Sequence, residues 1–259
     1  LRQGYGPRAG GQPLASWLCS AGCSAADGSA RCAAHVLVIG LDTGGTFTDI
    51  VYRVGLRGGV LKTISTPDDP SRAVLTAIAE LFPSTRAKRI TYGTTVATNA
   101  MLERRGAKTV LLTTEGFEDV LEIGRQARPD LYALEPEKID PLVPRRLRLG
   151  VRERMLHDGR VELRLSAAET NRLRRRVERL GVEAIAIVLL HGHVNATHER
   201  RLVRGLQRLR LPITASSELS PLPGEYERTS TTVANAYVRP MVERHLRSLA
   251  RRARTDSLL

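Results

Sequence analysis

Residues 38–52, VIGLDTGGTFTDIVY, limit the fold more than any other stretch of the chain. Apolar residues alternate on both sides of Gly44-Gly45, which predicts two strands, 36–41 and 46–53, folded back on each other by a tight turn. A chain that opens with such a hairpin is built around a sheet. The hairpin is also chemically loaded, with Asp42, Asp49 and the hydroxyls of Thr43, Thr46 and Thr48 in one short run. Charge and glycine both weaken a plain strand. A segment that breaks local preference this densely points to a ligand.

The elements that follow keep to an α/β order. A Gly58-Gly59 turn leads to a third strand, 60–64. Asp69-Pro70 reads as a helix start, with Asp as the cap and Pro at the first helical position. Val74, Ile78 and Leu81 then recur at helical spacing as far as Pro83. A short strand at 90–92, a helix over 94–105 closed by Gly106, and a strand at 109–113 come next. A helix around 117–123 leads into a proline-rich passage, 129–144, expected as a lobe boundary or surface excursion. Residues 151–165 read as a hairpin turning at Asp158-Gly159, and Ser166-x-x-Glu169 as a capping box for a helix ending at Gly181. A buried strand at 185–190, a helix at 199–209 and a strand at 213–216 precede a last long helix, 231–252, with a candidate kink at Pro240. Strands in a meander followed by strands alternating with helices predict an α/β protein with a mixed sheet and flanking helices. Residues 1–35 have no periodic apolar face and are expected to be a disordered or non-native extension.

Composition narrows the partners. At 259 residues, 42% hydrophobic and 26% charged, the chain has the make-up of a soluble protein with room for one large or two small domains. The longest apolar run, 184–190, is strand-sized, so no membrane partner is expected and a cytoplasmic location is the default. The net charge of +13 comes from 40 basic residues, of which only Lys62, Lys88, Lys108 and Lys138 are lysine. The densest run, 172–176, lies on a predicted helix whose apolar face is Leu173, Val177 and Leu180, which reads as a solvated face. Aromatics at 4% leave few stacking platforms for single strands, so no nucleic acid is expected. The rival of another class is a non-catalytic basic nucleic-acid-binding module, with a steep salt dependence. Cys19, Cys23 and Cys32 all precede the first strand, and an odd count supports neither a disulfide framework nor a four-ligand zinc site.

Two familiar phosphate loops are absent. No Gly-Lys dipeptide occurs, and the glycines near Gly40 do not space as G-x-G-x-x-G. What remains is the Asp-x-Gly-Gly-Thr turn of Asp42, Thr43, Gly44, Gly45 and Thr46. Glycines there can take positive φ and let backbone N–H groups approach phosphate oxygens, and the threonine hydroxyls can add hydrogen bonds. Asp42, at a strand end, suits a Mg²⁺-bound water. An ordinary tight hairpin is the alternative.

Further along, Thr94, Thr95 and Asn99 stand at a strand-to-helix junction. Three polar groups exceed what a cap needs, and a helix amino end favours anions, so they are candidate substrate or phosphate contacts. Arg228, Thr229 and Ser230, placed before the last helix, could clamp a carboxylate or phosphate; a capped helix start with an exposed arginine is the alternative. His191, His193 and His198 imitate a metal cluster, although a loop after a buried strand collects such residues easily.

Several of these stretches occur in order in one family. GLDTGGTFTD resembles the first phosphate motif of the acetate kinase, sugar kinase, heat-shock chaperone and actin superfamily. With TPDDPSRAV, YGTTVATNAMLERRGAKTVLLTTEGFEDVLEIGRQARPDLY, AIVLLHGHVNATHE and EYERTSTTVANAY, the chain resembles the amino-terminal part of the hydantoinase/oxoprolinase family from residue 36 to about residue 249. That resemblance implies a ribonuclease H-like, actin-like ATPase fold, in which this chain is one lobe of a larger two-lobed enzyme. Residues 36–230 are then the family's N-terminal domain and 231–259 the start of its catalytic domain. It implies ATP and Mg²⁺ as cofactors, Asp42 and Asp49 as catalytic residues, and ATP-driven phosphorylation of a carbonyl oxygen. A lactam is a poor electrophile, and phosphorylating its oxygen creates a leaving group. The expected partners are a small cyclic amide such as 5-oxoproline or hydantoin, a carboxyl-terminal lobe with the second phosphate motif, and a second, B-type hydantoinase subunit. These 259 residues alone are then expected to be an incomplete, inactive fragment. An ATP-using subunit of an acetone-type carboxylase is the alternative within enzymes. Where the family usually has His, this chain has Tyr92.

Overall fold

Strand β1 (Leu37–Thr43) buries Leu37, Ile39, Leu41 and Thr43 on one face and turns Asp42 to the other, the period-two pattern of a sheet with one covered face. It pairs antiparallel with β2 (Phe47–Val54), which pairs antiparallel with β3 (Arg57–Ile64), while β4 (Arg89–Thr94) runs parallel to β1 on its other side. The result is a mixed four-stranded sheet in the order β3-β2-β1-β4. The computed structural model describes residues 37–54, 57–65, 75–76, 89–126, 132 and 140–253. The expected extension 1–35, the helix start at Asp69-Pro70 and most of the passage 129–144 lie outside the described residues; Leu75 and Thr76 are helical.

The chain forms two compact units. One contains β1–β4 together with the chain from His245 onward, the other the chain from Val96 to Arg244. The core of the first is Leu37, Ile39, Leu41, Ile50, Ile90 and Leu249, each fully buried aliphatic side chain contributing about 2 kcal/mol.

The second unit begins with helix α1 (Val96–Leu102), shorter than the expected 94–105. Its sheet is entirely parallel, in the order β10-β9-β5-β6, so the described strands divide among the expected mixed sheet, this parallel one and a two-stranded hairpin. Strands β5 (Thr109–Thr114) and β9 (Ala184–Val188) are buried at every position, as parallel strands covered on both faces are. Strand β10 (Ile213–Ala215) flanks β9. Strand β6 (Arg148–Val151) was not expected, and Val151 belongs to it rather than to a hairpin. Arg148 disguises this strand. Its buried guanidinium donates to Val143 O at 3.0 Å and to Glu122 at 3.1 Å, so a charged residue sits inside the sheet with its donors occupied. The hairpin is confined to β7 (Arg154–Met155) and β8 (Val161–Leu163), turning where Gly159 takes φ +82°.

Helix α2 (Val120–Ile123) is one short turn. Helix α3 (Ala167–Leu180) starts at Ser166, whose hydroxyl accepts Glu169 N–H at 3.0 Å, and ends at Gly181 with φ +55°. Glu169 does not complete the box. Its carboxylate accepts Arg152 N–H at 3.1 Å and pairs with Arg172. Helix α4 (Thr197–Leu206) places Leu202 and Leu206 in the same core, and α5 (Ser216–Leu219) follows β10. The last helix, α6 (Glu225–Ala253), starts six residues earlier than expected and runs through Pro240. Its first turns hide their helical nature: Thr229 and Thr232 hydroxyls donate to the carbonyls of Glu225 and Arg228, four residues back.

Candidate functional site

The mixed sheet brings four residues into one row on its open face. Register places Asp42 opposite Asp49 on β2 and beside Gly93 on β4, and Asp49 opposite Lys62 on β3. Two carboxylates directly opposite on one face repel each other unless a cation lies near. Lys62 Nζ supplies one at 3.0 Å from Asp49. Asp42 has no ion-pair partner among the described residues. Gly93 makes room for it: a β-carbon there would stand 3.2 Å from Asp42 Oδ1.

The turn itself differs from expectation in one respect. Neither Gly44 nor Gly45 adopts the left-handed region. Their lack of a β-carbon acts through space instead. At Gly44 a β-carbon would come within 3.3 Å of the Phe47 carbonyl oxygen, which accepts Gly44 N–H at 3.0 Å, while a β-carbon on Gly45 would meet nothing within 4 Å. Thr46 is exposed beside it. Thr43 is buried, and its Oγ1 has no hydrogen-bond partner. A buried hydroxyl without a partner among the described residues is costly, and this one lies on the covered face of β1, opposite the face that carries Asp42. The Thr43 carbonyl accepts the Thr95 N–H at 3.2 Å and its hydroxyl at 3.3 Å, tying the end of β4 to the end of β1.

Ser65, just past β3, closes the underside of the turn. Its N–H donates to Thr46 O and its Oγ to Gly44 O, each at 2.9 Å, and Thr48 Oγ1 lies 2.9 Å from the same Oγ. Tyr92, on β4, hydrogen-bonds through its hydroxyl to His245 Nε2 at 2.8 Å.

Asp42, Asp49, Thr43, Gly44, Gly45, Thr46, Thr94 and Thr95 thus all lie in the first unit. Asn99, on α1, and Arg228, Thr229 and Ser230 belong to the second. These last three lie within the first turns of α6 rather than before it. Arg228 is fully buried. Its Nη2 donates to Leu189 O at 2.9 Å and pairs with Glu225, and its Nη1 lies 2.9 Å from His193 Nδ1. Burial and the Arg228 cation hold the His193 imidazole below the usual histidine range. His198 Nδ1 meets the buried Glu153 carboxylate at 2.7 Å. Among the described residues no three His, Cys, Asp or Glu side chains are grouped to hold a metal ion.

Sequence reasoning missed Gly93, Lys62 and Ser65 as members of this site. Their signal is strand register, which places Lys62 beside Asp49 once the Gly58-Gly59 turn sets the second hairpin.

An aspartate at the end of the first strand, beside an open glycine turn in a mixed sheet, with a parallel α/β unit following in the chain, is the arrangement of an actin-like ATPase lobe. The sequence profile of the hydantoinase/oxoprolinase N-terminal region matches residues 38–209, and the chain belongs to this family. It is 36% identical over 224 residues to the caprolactamase subunit alpha of Pseudomonas jessenii, covering 80% of this chain and 32% of that subunit. It is equally 36% identical over 227 residues to the acetophenone carboxylase gamma subunit of Aromatoleum aromaticum, covering 77% and 31%. The crystal structure of the ATP-dependent caprolactamase of Pseudomonas jessenii superposes with a TM-score of 0.74 at 31% identity, covering 84% of this chain and 34% of that one. The chain spans between about a fifth and a third of the length of the curated relatives it matches.

Proposed function

We propose that this chain is the nucleotide-handling N-terminal region of an ATP-dependent enzyme that opens cyclic amides. The observation that carries the reading is Asp42, standing over Gly93 without an ion-pair partner among the described residues and next to the open Gly45 turn. In this reading Gly44, Gly45 and Thr46 approach the phosphates, and Thr43, next to them in the chain, remains a candidate contact. Asp42 holds Mg²⁺ through water, and the ion would neutralise phosphate charge. Asp49, compensated by Lys62, keeps the face from carrying two bare carboxylates. Thr94, Thr95 and Asn99 remain candidate contacts to phosphate or substrate. Arg228, Thr229 and Ser230 are weaker candidates, because both terminal nitrogens of Arg228 and the Thr229 hydroxyl are engaged within the protein.

The chemistry has a physical motive. Moving the γ-phosphoryl group of ATP to the amide oxygen leaves ADP and weakens the ring C–N bond. Water then opens the ring as phosphate departs. A second, B-type subunit is the proposed partner. The carboxylase reading stands beside this one because the identity to a carboxylase subunit is the same 36%.

The test is an amide-shift titration with Mg-ATP, which registers weak binding. Gly44, Gly45 and Thr46 amides are expected to move in the wild-type chain, and Asp42→Asn is expected to raise Kd by about tenfold or more. An unchanged titration in that variant overturns the reading. Phosphate release, assayed with the carboxyl-terminal lobe supplied and with and without a B-type subunit, then separates the substrates. Stimulation by 5-oxoproline, hydantoin or caprolactam selects the amidase; stimulation by acetophenone with bicarbonate selects the carboxylase.

A further inference from the structure

We infer that Ser65, a residue outside the glycine-turn motif, is the positioning residue that aims the backbone donors of that turn at phosphate; the inference rests on the nucleotide reading above. Ser65 is buried and forms two hydrogen bonds to the turn, N–H to Thr46 O and Oγ–H to Gly44 O, both 2.9 Å. A serine hydroxyl has one proton, and Gly44 O takes it. The contact between Thr48 Oγ1 and Ser65 Oγ is therefore donated by Thr48.

The consequence follows from peptide planarity. In a trans peptide the C=O and the following N–H point in opposite directions. With Gly44 O drawn inward to Ser65, the Gly45 N–H faces outward. Among the described residues no acceptor takes the Gly45 N–H. Gly45 is exposed, and a β-carbon built on it would meet nothing within 4 Å. Neither glycine uses positive φ, so the carbonyl clamp, rather than left-handed backbone, sets the peptide planes. An outward, unpartnered N–H on an exposed residue suits a phosphate oxygen.

Two variants separate positioning from plain stability. Ser65→Ala removes the bond to Gly44 O and keeps the backbone bond to Thr46 O. Thr48→Val removes the donation into Ser65 Oγ and leaves the Ser65–Gly44 bond intact. Thermal melting and the Mg-ATP amide-shift titration are read on the wild-type chain and both variants. The expected result is a Kd raised about tenfold in Ser65→Ala and within about twofold of wild type in Thr48→Val, with similar losses of melting temperature. A Ser65→Ala titration matching wild type overturns the inference while the nucleotide reading stands. So does a loss of affinity that tracks melting temperature equally in both variants. No shift in the wild-type chain overturns the nucleotide reading itself, and the role of Ser65 with it.

Discussion

Gly93 shows how a residue with no functional group can govern one that has it. Its missing β-carbon leaves the space occupied by Asp42 Oδ1, so an alanine there would press on the carboxylate from 3.2 Å. Gly93→Ala is expected to raise the Kd for Mg-ATP by several-fold, on the order of tenfold, with the melting temperature nearly unchanged because Gly93 is exposed. Unaltered binding in that variant would dissociate the carboxylate from nucleotide. At this scale the sequence discloses residues that carry charge or crowd a motif: Asp42, Thr43, Gly44, Gly45 and Thr46 announce themselves by breaking strand preference. Gly93, Lys62 and Ser65 do not, because each matters only through the strand it is paired with. Arg228 shows a burial that the sequence does not report. An arginine beside hydroxyl residues reads as an anion clamp, whereas its guanidinium is buried and bonded to Leu189 O and Glu225.

Helix α3 and its neighbours show which local rules suffice for an element. Ser166 and Gly181 bound the helix as caps should, since both act through backbone groups a few residues away. Glu169 belongs to a wider arrangement that joins the helix to the Gly150–Arg152 segment. The hydrogen bond from Arg172 above all, and the Arg152 N–H after it, hold its carboxyl below the ordinary glutamate range. A lowered folded value means that this stability is present above the unfolded value of about 4.3 and disappears as pH falls through the folded one. Glu169→Gln is therefore expected to lower the urea midpoint at pH 7, and the gap to wild type is expected to narrow as pH falls below the unfolded value of about 4.3. A gap independent of pH would mean that packing, not charge, accounts for the loss. Strand β6 and the start of α6 escaped sequence reading for related reasons. Arg148 and the Glu225–Thr232 hydroxyls look like surface or loop residues until their hydrogen-bond partners are known.

For the molecule as a whole, the element order told of an α/β protein, but not that its strands divide between a mixed and a parallel sheet. Periodicity reports which face of a strand is covered and is silent on which strands share a sheet. The two units do not divide the sequence cleanly, because Leu249 of α6 is fully buried with Leu37, Ile39, Leu41, Ile50 and Ile90. Leu249→Ala is expected to cost about 3 kcal/mol. Amide exchange should accelerate in β1, β2 and β4 while β5 and β9 keep their protection; uniform acceleration would mean that the units unfold as one. This shared helix also sets a schedule. Synthesis proceeds from the amino end, and domains generally fold as they emerge. The strands carrying Asp42 and the glycine turn leave the ribosome before α6, and their core lacks Leu249 until everything from Val96 to Arg244 has been made. The earlier-made of the two units thus waits for the later one to be sealed, and a nascent chain stalled before Leu249 holds its nucleotide hairpin over an unfinished core.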